Sequence, residues 1–183
     1  MYRTVAIILK KNDWQESSQQ FIFYTKNFGK INALGRGTKK IESKLNSSLQ
    51  FFCLLDLTFA KGKNFDHITG VEIVKDFKNI KMDYKKIIYT CYGLELVEKL
   101  SAFYNPEREV FDLLLDFFEF VNQPQPKIAD NLNLVKNRFE RKLLEIIGYQ
   151  APENISLNKQ KFNIFLENYL QKDLKTKNFF KPV

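Results

Sequence analysis

The chain has 183 residues, 44% hydrophobic and 27% charged, with 18 Phe and 8 Tyr, enough apolar mass for one generous domain or two small ones and too much for a disordered segment. Lys and Arg outnumber Asp and Glu by 29 to 21, a formal charge of +8 that favours a polyanionic partner. Two cysteines and one histidine exclude a disulfide framework and a zinc finger, while the apolar runs at 5–9 and 110–121 are too short or too interrupted by charge for a secretion signal or a membrane span.

The first eighty residues alternate with a period of two and predict five strands. Val5, Ile7 and Leu9 share one face of the first, and Phe21 and Phe23 one face of the second. Ile31 and Ala33 follow a turn at Phe28-Gly29-Lys30. In the fourth, Leu49, Phe51, Cys53, Leu55, Leu57 and Phe59 point one way and Gln50, Asp56 and Thr58 the other; the fifth spans residues 68–77. A long connection over residues 35–48 separates strands three and four. Five short strands of this kind predict a small closed barrel, which has no exposed edges. The oligonucleotide/oligosaccharide-binding (OB) barrel leads, and an SH3-like barrel would alternate similarly.

Beyond residue 81 the spacing turns helical. Tyr84, Ile87, Ile88, Cys91, Leu94, Leu96, Val97 and Leu100 make a helix apolar on nearly all sides, suited to the middle of a bundle. A second helix starts at Asn105-Pro106, with an acidic stripe of Glu109, Asp112, Asp116 and Glu119 opposite Phe111, Leu114, Leu115 and Phe118. A third covers about 128–147, with Leu132, Val135, Phe139, Leu143 and Ile146 inward and Gly148 as its stop. A shorter fourth lies near 157–170, before a Lys-rich tail over 172–181. The reading is an α+β chain, with a barrel domain at 1–80 and a helical domain at 81–183.

Charge is unevenly shared, +6 over residues 1–80 and +2 over 81–183. Lys26, Lys30, Arg36, Lys39, Lys40 and Lys44 face the single Glu42, around a loop that Gly35 and Gly37 make pliable. A charge run is ordinarily a solvated loop. On a barrel of this type it becomes a candidate phosphate-binding surface, with Tyr2, Trp14, Tyr24 and Phe52 as candidates to stack on bases. On the third helix Arg138, Arg141 and Lys142, with Lys136 nearby and edges of Phe139 and Leu143, suit an acidic peptide ending in an apolar residue; Glu140 and Glu145 make an ordinary charged face the competing reading.

No catalytic constellation emerges. Gly35-Arg36-Gly37 lacks the third glycine and the strand-helix setting of a dinucleotide fingerprint, and His67 has no nucleophile in the pattern. Cys53 and Cys91 read as small buried hydrophobes, and Asp112 and Asp116 as a solvated helix face. No metal or other cofactor is expected.

In order and spacing, a series of short motifs resembles the bacterial recombination mediator and DNA repair family RecO. They are Tyr2-Arg3-Thr4, Phe28-Gly29-Lys30, Gly37-Thr38-Lys39-Lys40 running to Ser43-Lys44-Leu45, Leu49-Gln50-Phe51-Phe52 with Leu55-Asp56-Leu57, and Lys61-Gly62-Lys63. Arg138-Phe139-Glu140 with Leu143 to Tyr149, then Leu174-Lys175-Thr176 with Phe179, continue the likeness over nearly the whole chain. The resemblance implies an OB barrel joined to a helical domain, in a cytoplasmic, nucleoid-associated protein without catalytic turnover. It also implies binding of single- and double-stranded DNA, strand annealing, and loading of recombinase onto strands coated by single-strand-binding protein, with RecR and the acidic tail of that protein as partners. Arg36, Lys39, Lys40 and Lys44 inherit the DNA contacts, and Arg138, Arg141 and Lys142 the tail site. Many members carry a cysteine-rich, zinc-finger-like insertion after the Gly-Tyr that matches Gly148-Tyr149; here 150–158 holds no Cys, so a reduced helical domain without zinc is expected.

Overall fold

A computed structural model describes residues 1–39, 44–124, 128–149 and 174–180. Strands β1 (Tyr2–Trp14), β2 (Ser18–Thr25), β3 (Gly29–Gly35), β4 (Cys53–Ala60) and β5 (Asp66–Asp76) close into a barrel in the order β1-β2-β3-β5-β4. β1 closes it antiparallel to β4, while β3 meets β5 in a short parallel seam at Ala33–Asp66 and Leu34–His67. This is the OB arrangement, with helix α1 (Lys44–Ser48) in the β3–β4 connection.

The barrel is filled as the alternation predicts: Phe21, Phe23, Ile31, Ala33, Cys53, Leu55, Leu57 and Phe59 are all completely buried. Ala6 and Ile8 also point inward, because Val5, Ile7 and Leu9 take the opposite face of β1. That outer face is covered too. Ile7, Leu9, Ile22 and Tyr24 join one apolar cluster with the helices, so β1 and β2 are buried on both sides.

The fourth strand is shorter than its pattern. Residues 49–52 turn instead of extending, with Phe52 at φ 60° and its carbonyl accepting from the Phe77 amide at 3.1 Å, although Leu49 still reaches the core. On β5 the alternation fades: bulges shift its register against β4, and Ile73 and Val74 are exposed.

After a single turn, α2 (Lys78–Lys81), helix α3 (Tyr84–Leu100) starts under the side chain of Asp83, which accepts from the amides of Lys85 and Lys86. As its all-round apolar sequence predicts, α3 lies centrally, touching β1, α4 (Arg108–Val121), α5 (Ile128–Ile146) and a terminal 3₁₀ helix at Lys175–Phe180. α4 begins two residues later than Asn105-Pro106 suggests, because that dipeptide is laid against the β2–β3 turn. Gly148 ends α5 at φ +81°, where the Tyr149 amide reaches back to the Leu144 carbonyl at 2.8 Å. The expected fourth helix near 157–170 lies outside the described residues, as do 150–158. No helix among the described residues is long and apolar enough to cross a membrane.

Candidate nucleic-acid interface

Three loops converge at one end of the barrel. Leaving β3, the chain turns through residues 36–39, fixed by the Thr38 hydroxyl donating to the Gly35 carbonyl at 3.0 Å. The Lys39 amide then donates to Ser17 in the β1–β2 hairpin at 3.1 Å. From the β4–β5 loop, Phe65 meets the Trp14 ring edge-on at 5.3 Å. Arg36, Lys61 and Lys63 stand exposed on these loops. Lys39 is half-buried, its ammonium 3.1 Å from Asp13, whose carboxyl the Lys39 and Gln19 hydrogen bonds hold below the usual carboxylate range. The β1–β2 and β4–β5 loops, with β2 and β3, are those that OB barrels use for oligonucleotides.

The expected cation cluster does not stay together. Lys26 lies in the β2–β3 turn, at the far end of the seven-residue β3 from Arg36, roughly 20 Å away by strand rise. Lys30, expected among the cations that meet phosphate, is only 5% exposed. Its ammonium donates to the Glu98 carbonyl at 2.6 Å and lies 4.4 Å over the Phe103 ring. Glu98 is in the last turn of α3, whose carbonyls lack helical partners, so the fold itself uses this charge. Burial lowers the Lys30 pKa from its ordinary value. Lys40 lies outside the described residues, and of Lys44 only its place in α1 is described.

The proposed stacking residues divide likewise. Tyr24 is completely buried, its hydroxyl donating to the Glu107 carbonyl at 3.1 Å and its pKa pushed up to about 12, mainly by burial. Phe52 is half-buried against Phe51 and Phe118. Trp14 stays open, and Tyr2 is half-buried with its hydroxyl donating to Asp66 at 2.6 Å. The sequence pattern undervalued Lys61 and Lys63: a lysine on either side of Gly62, just before Phe65, is the signal that points to them.

On α5, Arg138, Arg141 and Lys142 are exposed along one side of a groove of about 550 Å³ between α4 and α5, with Leu113, Phe117, Phe120 and Val135 as its apolar lining. Lys142 also pairs with Glu145 at 3.1 Å. Phe139 and Leu143 face inward as the helical spacing predicts, packed with α3 and α4, but the exposed edges expected of them beside the cations are absent because both are buried. Lys136 is not part of the patch. It is buried 2.7 Å from Glu140, which also accepts the Tyr92 hydroxyl; burial, then the Glu140 charge and hydrogen bond, push the Tyr92 pKa up. Neighbouring α4 keeps Asp112 and Asp116 exposed, and no acidic, cysteine or histidine cluster among the described residues is arranged to hold a metal. His67 lies with its ring against Gly62. Cys53 is buried as expected, whereas Cys91 is half-buried.

Comparison with known proteins accounts for most of the chain. The family model described as Recombination protein O N terminal matches residues 1–77, and that described as Recombination protein O C terminal matches 82–154. DNA repair protein RecO of Clostridium novyi is 33% identical over 150 residues, covering 81% of this chain and 57% of the relative. Its namesake from Syntrophus aciditrophicus is 29% identical over 154 residues, covering 82% and 57%. That from Dehalococcoides mccartyi is 29% identical over 181 residues, covering 99% and 66%. The chain therefore spans a little over half the length of the first two relatives.

Proposed function

The chain belongs to the RecO family, and from that premise we propose that it is a DNA repair protein of homologous recombination that holds nucleic acid at the loop end of its barrel. The observation that carries this reading is that exposed Arg36, Lys61 and Lys63 lie on the same end loops of the barrel as the Trp14–Phe65 pair, cations for phosphate on the loops that carry rings for bases. Lys39, held by Asp13, shapes the hairpin first and meets phosphate only if it exchanges partners; Lys40 and Lys44 are included as DNA contacts on the family resemblance alone. Lys26 contributes from the opposite end of β3.

Binding of this kind serves annealing. Two strands repel through their phosphates, and a protein that neutralises several of them brings complementary bases within pairing distance without any bond-making chemistry of its own. The substrates are single- and double-stranded DNA, and the recombinase is served indirectly. The α4–α5 groove supports recruitment: its apolar floor suits the last side chains of a peptide, and Arg138, Arg141 and Lys142 suit acidic residues and a terminal carboxylate, the chemistry of the single-strand-binding protein tail. RecR is the second proposed partner.

Replacing Arg36, Lys61 and Lys63 together with Ala should lower the slope of log affinity against log salt for single-stranded DNA by about two, at about 0.7 per lost phosphate contact, with thermal stability unchanged. An unchanged slope would sink the loop-end site. The rival reading, a protein-interaction adaptor whose business is the groove alone, predicts that the triple variant behaves as wild type while Arg138→Ala with Arg141→Ala loses the acidic peptide.

A further inference from the structure

A second group of exposed rings stands away from the loop end, where the chain leaves α3. Phe103 is 46% exposed and Tyr104 59%, and Phe28 in the facing β2–β3 turn is 37% exposed. Their exposure is not looseness. The Tyr104 amide donates to the Lys30 carbonyl at 2.8 Å, and Phe103 forms an isolated parallel bridge with Lys30. The following Asn105 lies so close on Gly29 that a Cβ there would come within 2.2 Å of its carbonyl oxygen. Gly29 itself has φ +65°, and Tyr104 is held at φ +57°, a conformation that L side chains rarely adopt and that persists only where surroundings impose it. The Lys30 ammonium under Phe103 fixes that ring from below.

These rings connect to the loop end. Tyr2 meets Phe28 edge-on at 4.6 Å and donates to Asp66, the neighbour of Phe65, which in turn meets Trp14. The aromatic groups thus lead from the loop end toward the segment that follows α3, with Lys26 in the turn beside Phe28. We propose that Phe28, Phe103 and Tyr104 form a stacking platform for the unpaired bases of a single strand, contributed jointly by the barrel and the segment that follows α3. The proposal rests on the loop-end reading. Planar faces on a rigid backbone suit bases of any identity, and a duplex, whose bases are already stacked, gains nothing from them.

The test pairs Tyr104→Gly with Phe103→Leu. Glycine relieves the left-handed backbone at 104, and leucine keeps apolar cover over Lys30, so the protein should fold; circular dichroism and the melting temperature check this. Probes are a labelled oligothymidylate, an abasic strand of equal length and a duplex. The expected result is a loss of roughly tenfold or more on the oligothymidylate, with duplex and abasic-strand affinities and the salt slope at wild-type values. Wild-type affinity for the oligothymidylate, or an equal loss on the abasic strand, overturns the platform. The two sites fail separately: an unchanged salt slope in the Arg36, Lys61 and Lys63 variant removes the loop-end site alone, and base-independent binding removes the platform alone. A wild-type protein that binds none of the three probes overturns both.

Discussion

The two ends of β3 carry basic residues with opposite fates. At its start Lys30 is buried, bound to the last turn of α3 and covered by Phe103; just past its end Arg36 projects into solvent at the loop end, the end that also carries exposed Lys61, Lys63 and Trp14. The difference is made by the helices, which cap the outer face of β1 and β2 and reach the start of β3 but not the loop end. Two more lysines share the fate of Lys30. Lys86 donates to the Gln123 carbonyl at 2.6 Å just beyond the end of α4, and Lys136 is sealed against Glu140. A surplus of basic residues therefore overstates the charge available to a polyanion, since part of it ties helix ends and helix pairs together.

The comparison breaks most visibly at Lys136. Lys136→Met leaves Glu140 buried against the Tyr92 hydroxyl, and removing one member of a buried pair costs about 3–5 kcal/mol. Chemical denaturation should show that loss, and Lys136→Met combined with Glu140→Leu should recover much of it. A single variant within 1 kcal/mol of wild type would mean that the charge is not structural. DNA affinity of the folded variant should not change.

Lys30→Met is the next step down. It keeps the stem and deletes the hydrogen bond to the Glu98 carbonyl, so the expected destabilisation is about 1–3 kcal/mol. The salt slope for DNA should stay at its wild-type value. A slope lowered without loss of stability would return Lys30 to the phosphate-binding group and erase the contrast between the strand's ends.

What the sequence made legible was local. The alternation through Cys53, Leu55, Leu57 and Phe59, the apolar α3 and the Gly148 stop depend on neighbours a few residues away, and the structure has them. The groove residues Arg138, Arg141 and Lys142 were legible as well, since helical spacing puts them on exposed α5 positions. The fate of Lys30 was not, because its partner lies 68 residues downstream and only the folded chain brings the two together. Tyr24 misled for the same reason: its strand position looks solvent-facing until Glu107, 83 residues on, receives its hydroxyl. The platform residues Phe103 and Tyr104 sit between helices with no period to mark them. Only the left-handed backbone and the bridge to Lys30 single them out.

The smallest expected effect concerns a carboxylate that does for the chain's last described segment what the buried lysines do for the helices. Glu95 on α3 accepts from the Lys175 amide at 2.8 Å, the Thr176 amide at 3.0 Å and the Thr176 hydroxyl at 2.6 Å, clamping the terminal 3₁₀ helix over a cavity of about 290 Å³ that Cys91 also lines. Burial pushes the Glu95 pKa up, but Thr176, Lys175 and the Lys99 charge outweigh it and leave the carboxyl below its usual range. A carboxyl depressed in the folded state stabilises it above the unfolded value and loses that contribution as pH falls through the folded one. The clamp is therefore complete at neutral pH and weakens below about pH 4.5, the ordinary glutamate range. At neutral pH Glu95→Ala should free the segment at a cost of about 1 kcal/mol, speeding thiol labelling of Cys91 in a Cys53→Ser background while the barrel melts as before. Acid should loosen the parent chain as well, with the amide protection factors of Lys175 and Thr176, corrected for the intrinsic exchange rate, falling together as pH drops below the ordinary glutamate range. Protection at Lys175 and Thr176 that persists well below the ordinary glutamate range, or labelling of Cys91 indifferent to Glu95, would show that apolar packing through Leu174 holds the segment and that this charge, unlike Lys30 and Lys136, is dispensable to the fold.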